Sequence, residues 1–152
     1  MECALSLLLL FVLACPCVEF GRMTSDATAA SSAAVDLARA VAANPYMTHS
    51  EQECFLERAY PAIAAATHFS VKISAPQKQP YIHRFRTRNG KTLERASFTT
   101  SRSVTANLAV SRKYITPTGA LLAPVTDGST QAYEVSARGS ANRDETVERG
   151  EW

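Results

Sequence analysis

The spacing of apolar positions changes twice along this chain. From Ala4 to Val18 nearly every residue is apolar or small, from Ala33 to Ile63 apolar positions recur at helical spacing, and from His68 onward they alternate with polar ones. A period near 3.6 marks a helix burying one stripe, and a period of two marks a strand burying one face. The middle pattern predicts a helix over about Ala33 to Ala43, with Val35, Leu37, Ala38 and Val41 forming a narrow stripe. Asn44-Pro45 ends it, because a residue before proline is pushed out of the α region. A second helix starts near Ser50, where Ser50 and Glu53 fit a capping box, and its stripe is Phe55, Leu56, Ala59, Tyr60 and Ile63. Pro61 kinks or ends this helix by removing the backbone bond to Glu57.

Strands follow. Phe69, Val71 and Ile73 alternate with Ser70, Lys72 and Ser74, and Val104, Ala106, Leu108 and Val110 alternate with Thr105, Asn107 and Ala109. Between them, Tyr81 to Thr99 holds Asn89-Gly90 flanked by two alternating runs, the pattern of a two-residue hairpin with a type I′ turn. That turn sets Arg88 opposite Lys91, Arg86 opposite Leu93 and Arg84 opposite Arg95. On this register Arg84, Arg86, Arg88, Lys91 and Arg95 share one face, and Tyr81, His83, Phe85, Ala96 and Phe98 share the other. Shorter strands are expected at Lys113–Thr116, Leu121–Val125 and Gln131–Ser136, separated by turn signals at Thr118-Gly119 and Asp127-Gly128.

The expected fold is α+β, one or two N-terminal helices packed on an antiparallel β-meander. Residues 1–17 read as a signal peptide or anchor, 18–32 as a flexible lead, 33–136 as one small domain, and 137–152 as a disordered tail. At 152 residues there is room for a single modest core, thinned by the 25 alanines that supply much of the 46% apolar content.

Charge sharpens the picture of the sheet. The overall charge is +2, yet from Lys72 to Lys113 ten Lys or Arg face Glu94 alone, giving that segment +9. Five cations on one ribbon face suit sulfates, phosphates or anionic head groups, of a glycan or of anionic lipids, since the Arg guanidinium matches such groups as a planar fork. Like charges directly opposite each other cost stability, so something anionic is expected between them: a polyanion, an acidic protein partner, or Glu51, Glu53 and Glu57 of the same fold. Aromatic interleaving on the basic face is absent, and no specific nucleic-acid signal is present.

The apolar start, MECALSLLLLFVLACPCV, has the length of a secretory h-region, and from Ala4 to Val18 it spans fifteen residues where a membrane crossing needs about twenty. Export to a secreted or cell-surface location is expected, with cleavage after Ala14 or Cys17, although Glu2 stands where a basic n-region is usual. The alternatives are an uncleaved membrane anchor and a buried N-terminal helix in an intracellular protein. Val12-Leu13-Ala14-Cys15 resembles a bacterial lipobox, which implies a lipidated Cys15. No disulfide framework emerges from Cys3, Cys15, Cys17 and Cys54.

Gly90-Lys91-Thr92 matches the end of a phosphate-binding loop, but Phe85 stands where its earlier glycine belongs. G-x-S-x-G, H-E-x-x-H and C-x-x-C signatures are absent. No catalytic residue, metal site or cofactor is read from the sequence. His83, between Tyr81 and Phe85, reads as a packed neutral imidazole, and a Cys54 nucleophile with His68 or His83 is an enzymatic alternative. The leading expectation is a non-enzymatic binding or interaction module, followed by a membrane-tethered structural or interaction subunit.

Overall fold

The computed structural model describes residues 2–116 and 132–147. It has an α+β architecture: a long helix α1 (Glu2–Ala43), two short helices α2 (His49–Ala59) and α3 (Pro61–Ala64), and four strands, β1 (Thr67–Ile73), β2 (Gln77–Arg86), β3 (Thr92–Lys113) and β4 (Ala132–Val147). All pairings are antiparallel and all involve β3. Along one edge of β3 lie β2, from Gln77 opposite Ser101 to Arg86 opposite Thr92, and β1, from Thr67 opposite Val110 to Ile73 opposite Val104. Along the other edge β4 runs from Ala132 opposite Lys113 to Val147 opposite Phe98.

The core lies between α1 and one face of the sheet. Val104, Ala106, Leu108 and Val110 of β3 are buried against Ala30, Ala33, Ala34, Leu37, Ala38 and Val41 of α1. Leu56 and Ile63 close the end of this cluster. The sheet's other face carries Ser70, Lys72, Ser103, Asn107, Ser140 and Asn142, the polar half of the alternation.

Helix α1 is much longer than the pattern indicated. Residues 18–32, read as a flexible lead, are helical, and Cys15, Glu19, Asp26 and Ala30 are buried at spacings of four and seven, continuous with the stripe of Ala33 to Val41. Two carboxylates on this stripe hid it. Thr24 and Thr28 lie mid-helix because their hydroxyls donate to the carbonyls of Phe20 and Thr24, four residues earlier.

The N-cap of helix α2 lies two residues before the expected one. Thr48, not Ser50, is the N-cap: its hydroxyl accepts from the Glu51 N–H, and the Glu51 carboxylate accepts from the Thr48 N–H at 2.7 Å. That donated backbone bond holds the Glu51 carboxyl below its ordinary pKa. Pro61 ends α2 and becomes the first residue of α3, where its missing N–H is no loss.

Strand β4 reaches further into the chain's end than the alternation indicated, taking in Ala137–Val147. Its residues on the helix side of the sheet are Tyr133, Val135, Ala137, Gly139 and Ala141, too small after Val135 to register as a hydrophobic strand. Smallness is what the packing demands. A Cβ at Gly139 would fall far inside van der Waals contact of the Ala34 carbonyl and the Val35 nitrogen, so the backbone of α1 rests directly on β4 there. Residues 114–116 do not continue as a strand, and the strand expected at Leu121–Val125 lies outside the described residues.

Candidate functional site

The hairpin differs from expectation by one residue of register. The Thr87 N–H donates to the Lys91 carbonyl at 2.8 Å, the Gly90 N–H donates to the Thr87 carbonyl at 2.9 Å, and only Gly90, at φ 74°, takes a left-handed conformation. This is a three-residue loop, a four-residue turn followed by a left-handed glycine, and not the two-residue type I′ turn. Asn-Gly serves both, but here only Gly90 needs positive φ. The register shift moves cations between faces, because a slip of one residue reverses every side chain of a strand.

Arg84 therefore lies opposite Glu94, not Arg95, and the two side chains pair at 2.7 Å. Arg86, opposite Thr92, shares that face with Ile82 and Phe98. Arg95 is paired in the register with His83, which belongs to the opposite face with Tyr81, Phe85 and Leu93. Arg88 and Lys91 belong to the loop. The expected face of five cations is thus divided between two faces and a tip, and the like-charge cross-strand pairs do not form.

Every residue of β2 is exposed, on both faces. Beyond Phe98, where β4 ends, β2 and β3 continue as a two-stranded arm standing away from the core. His83 is exposed and in edge contact with Tyr81, their ring centroids 4.5 Å apart, and it is not packed as expected. Tyr81, Ile82, Phe85, Leu93 and Phe98 are between 41% and 57% exposed, an unusual density of apolar surface for a ribbon that small.

Among the described residues no ion pair joins the carboxylates of α2 to the cations of the arm. Helix α2 meets the sheet at the start of β1, where His49 stacks on Phe69 with centroids 4.6 Å apart. Thr67 is paired with Val110 and Arg86 with Thr92, so the two ends are separated by roughly 60 Å of strand path.

A second exposed surface is the apolar end of α1. Leu7, Leu8, Leu9, Leu10, Phe11 and Leu13 are each 60–68% exposed, around the whole helix. From Cys15 the same helix is seated on the domain, and Pro16, which removes one helical backbone bond, falls at that change. Three polar residues fasten the seated part to the end of β3 and the start of β4. Buried Glu19 accepts through Oε1 from the Ile115 and Thr116 N–H groups, both at 2.6 Å, and its Oε2 has no hydrogen-bond partner among the described residues. Arg22 donates to the Lys113 carbonyl at 3.3 Å. Asp26 accepts from the Tyr133 hydroxyl at 2.6 Å and pairs with Arg112 at 3.2 Å, while Arg112 also donates to the Ala62 carbonyl. Burial, and then the bond to Asp26, push the Tyr133 phenol well above its ordinary pKa. Nearer the helix end, Tyr60 donates to Asp36 at 2.5 Å, which raises its pKa as well.

Among the described residues the cysteines are free and form no disulfide. Cys15 is buried within α1, Cys54 is exposed on α2, and no hydrogen bond joins Cys54 to His68 or His83. Among the described residues no group of three or more His, Cys, Asp or Glu is placed to hold a metal ion. The sequence reading missed the Glu19, Asp26, Arg112 and Tyr133 contacts, whose only trace is acidic residues at helical spacing with the buried alanines. Compared with models of protein families, with curated proteins and with solved structures, the chain matches none.

Proposed function

We propose that this chain is a membrane-tethered interaction subunit, its apolar helix end set in a bilayer and its sheet held at the membrane surface with the hairpin arm as contact surface. The observation that carries this reading is the continuity of α1. Residues exposed around the whole helix at Leu7–Leu13 and residues at the centre of the core, such as Leu37 and Val41, belong to one helix. Ser6–Ala43 is long and apolar enough to cross a membrane by length and composition. The uncharged run from Cys3 to Val18 is 16 residues, about 24 Å of helix against a hydrocarbon core of about 30 Å. A shortfall of that size is met by local thinning of the bilayer, or by drawing the domain against the headgroups. Glu19, first charge after the run, is turned to the domain, where its Oε1 accepts from the Ile115 and Thr116 N–H groups.

Two measurements test it together: the intact mass of the full-length expressed chain, and its partition after an alkaline carbonate wash of membranes. The expected result is an uncleaved chain retained in the membrane pellet and released by detergent. A chain starting at Cys15 or Val18 and found in the supernatant overturns the reading in favour of a secreted module, and a lipid mass on Cys15 replaces the spanning helix by a lipid anchor.

A further inference from the structure

The charged surfaces of this chain are complementary and lie at opposite ends of one strand. At the α2 end, Glu53 and Glu57 stand one helical turn apart, both exposed, on the rim of a shallow cleft floored by Leu56 and Phe69. The nearby His49 Nδ1 lies 3.5 Å from Glu53, and no Lys or Arg lines the cleft. At the other end the arm presents Arg84, Arg86, Arg88 and Lys91, with Glu94 answering Arg84 alone. On the arm's other face Phe85 and Leu93 lie opposite each other across the ribbon, 42% and 45% exposed.

We propose that the arm of one copy docks on the α2 cleft of the next, entering edge-on so that both its faces make contact, its guanidinium groups against Glu53 and Glu57 and its Phe85–Leu93 pair against Leu56 and Phe69. The chain supplies both halves of the contact, an acidic rim with an apolar floor and a ribbon that carries Arg84 and Arg86 on one face, Phe85 and Leu93 on the other, and Arg88 and Lys91 at its tip. About 60 Å of strand path separates them and no ion pair joins them among the described residues, whereas a second copy can bring the two together. Such a contact joins unlike surfaces. It is therefore head to tail, and the copies add in a line unless the rotation closes a ring. Opposite charges at the two ends also steer the copies into this order and set against it arm-to-arm or cleft-to-cleft pairing.

The test is sedimentation velocity of the full chain in detergent micelles over a concentration series, at low salt and at high salt. The wild-type chain is expected to form species larger than dimers at low salt and to dissociate at high salt, where screening shortens the reach of exposed charges. Reversing the arm (Arg84→Glu, Arg86→Glu, Arg88→Glu) or the rim (Glu53→Lys, Glu57→Lys) is expected to lower association at least tenfold. The chain carrying all five reversals regains it. That rescue separates a specific contact from damage to the fold. A monomeric wild-type chain overturns the proposal, as does a five-reversal chain that stays monomeric. Assembly unaffected by either set of reversals also overturns it and assigns association to the apolar helix end. Binding of heparin or anionic vesicles by the arm without self-association gives the arm to a polyanion instead.

Discussion

Replacing Gly139 by Ala tests the seating of α1 on β4. The added Cβ points into the Ala34 carbonyl and the Val35 nitrogen, which are backbone atoms of α1 and have no rotamer to escape into. Either α1 lifts from β4 or the strand bends away from Ala106, its neighbour on β3. Overpacking of a filled core costs about 1–3 kcal/mol, and a clash with backbone belongs at the upper end. Against it works the lower chain entropy of alanine in the unfolded state, about 0.4–1 kcal/mol. A net loss of about 2 kcal/mol corresponds to a fall in Tm of roughly 4–8 °C for a chain of this size. The assay is thermal unfolding of the full chain followed by circular dichroism, and two other glycines calibrate it. Gly21 lies within α1, where an added Cβ would meet nothing within 4 Å, so Gly21→Ala is expected to stabilise by about 0.5–1 kcal/mol. Gly90 also meets open space but sits at φ +74°, so Gly90→Ala is expected to cost about 1 kcal/mol through backbone strain alone. A Gly139→Ala chain melting at or above the wild-type temperature would refute the direct seating of α1 on β4.

The polar contacts of α1 give further expectations. The Tyr133 phenol has its pKa raised in the folded state, so its contribution is complete below about pH 10, where the unfolded phenol begins to ionise, and is lost as pH rises above that at about 1.4 kcal/mol per pH unit. Tyr133→Phe should remove that part of the slope in alkaline denaturation, and an unchanged slope would count against the Tyr133–Asp26 bond. Glu19→Ala removes the acceptor shared by Ile115 and Thr116, with an expected loss of about 1–3 kcal/mol and faster amide exchange at those two residues; unchanged protection there would sink the assignment. Breaking the exposed Arg84–Glu94 pair with Glu94→Gln should change stability by no more than about 1 kcal/mol, measured by urea denaturation, because both side chains are largely in water.

Where the alternation was strong, the strands were legible: Phe69, Val71 and Ile73, and Val104 to Val110, lie in β1 and β3 with the apolar side toward the helix. The position of the hairpin was legible as well, but its register was not, since Asn-Gly fits two loop lengths. The deciding information lay in the side chains: one register pairs Arg84 with Arg95, the other pairs it with Glu94, and the fold takes the pair of opposite sign. Parts of two elements were hidden for physical reasons. Glu19 and Asp26 on the buried stripe of α1 break the apolar period because their partners come from residues about a hundred positions later. The first part of β4 was legible as the strand expected at Gln131–Ser136, but Ala137, Gly139 and Ala141 gave its continuation no hydrophobic signature because the helix lies so close that only small residues fit. The exposure of the arm on both faces could not be read from a pattern of alternation, which predicts one covered face without naming what covers it.

The contact between Asp26 and Tyr133 joins residues 107 positions apart, and Gly139 receives α1 from a strand still later in the chain. During synthesis the helix emerges first and its seat last. At about 5–20 residues per second the interval is roughly 5–20 s, in which the Ala-rich stripe has no sheet to cover it and Leu7–Leu13 are already outside the ribosome. On the proposed membrane-tethered reading, a bilayer that takes up the apolar end at that stage would hold the first half of the fold in place until β4 arrives, and insertion would be the opening step of folding.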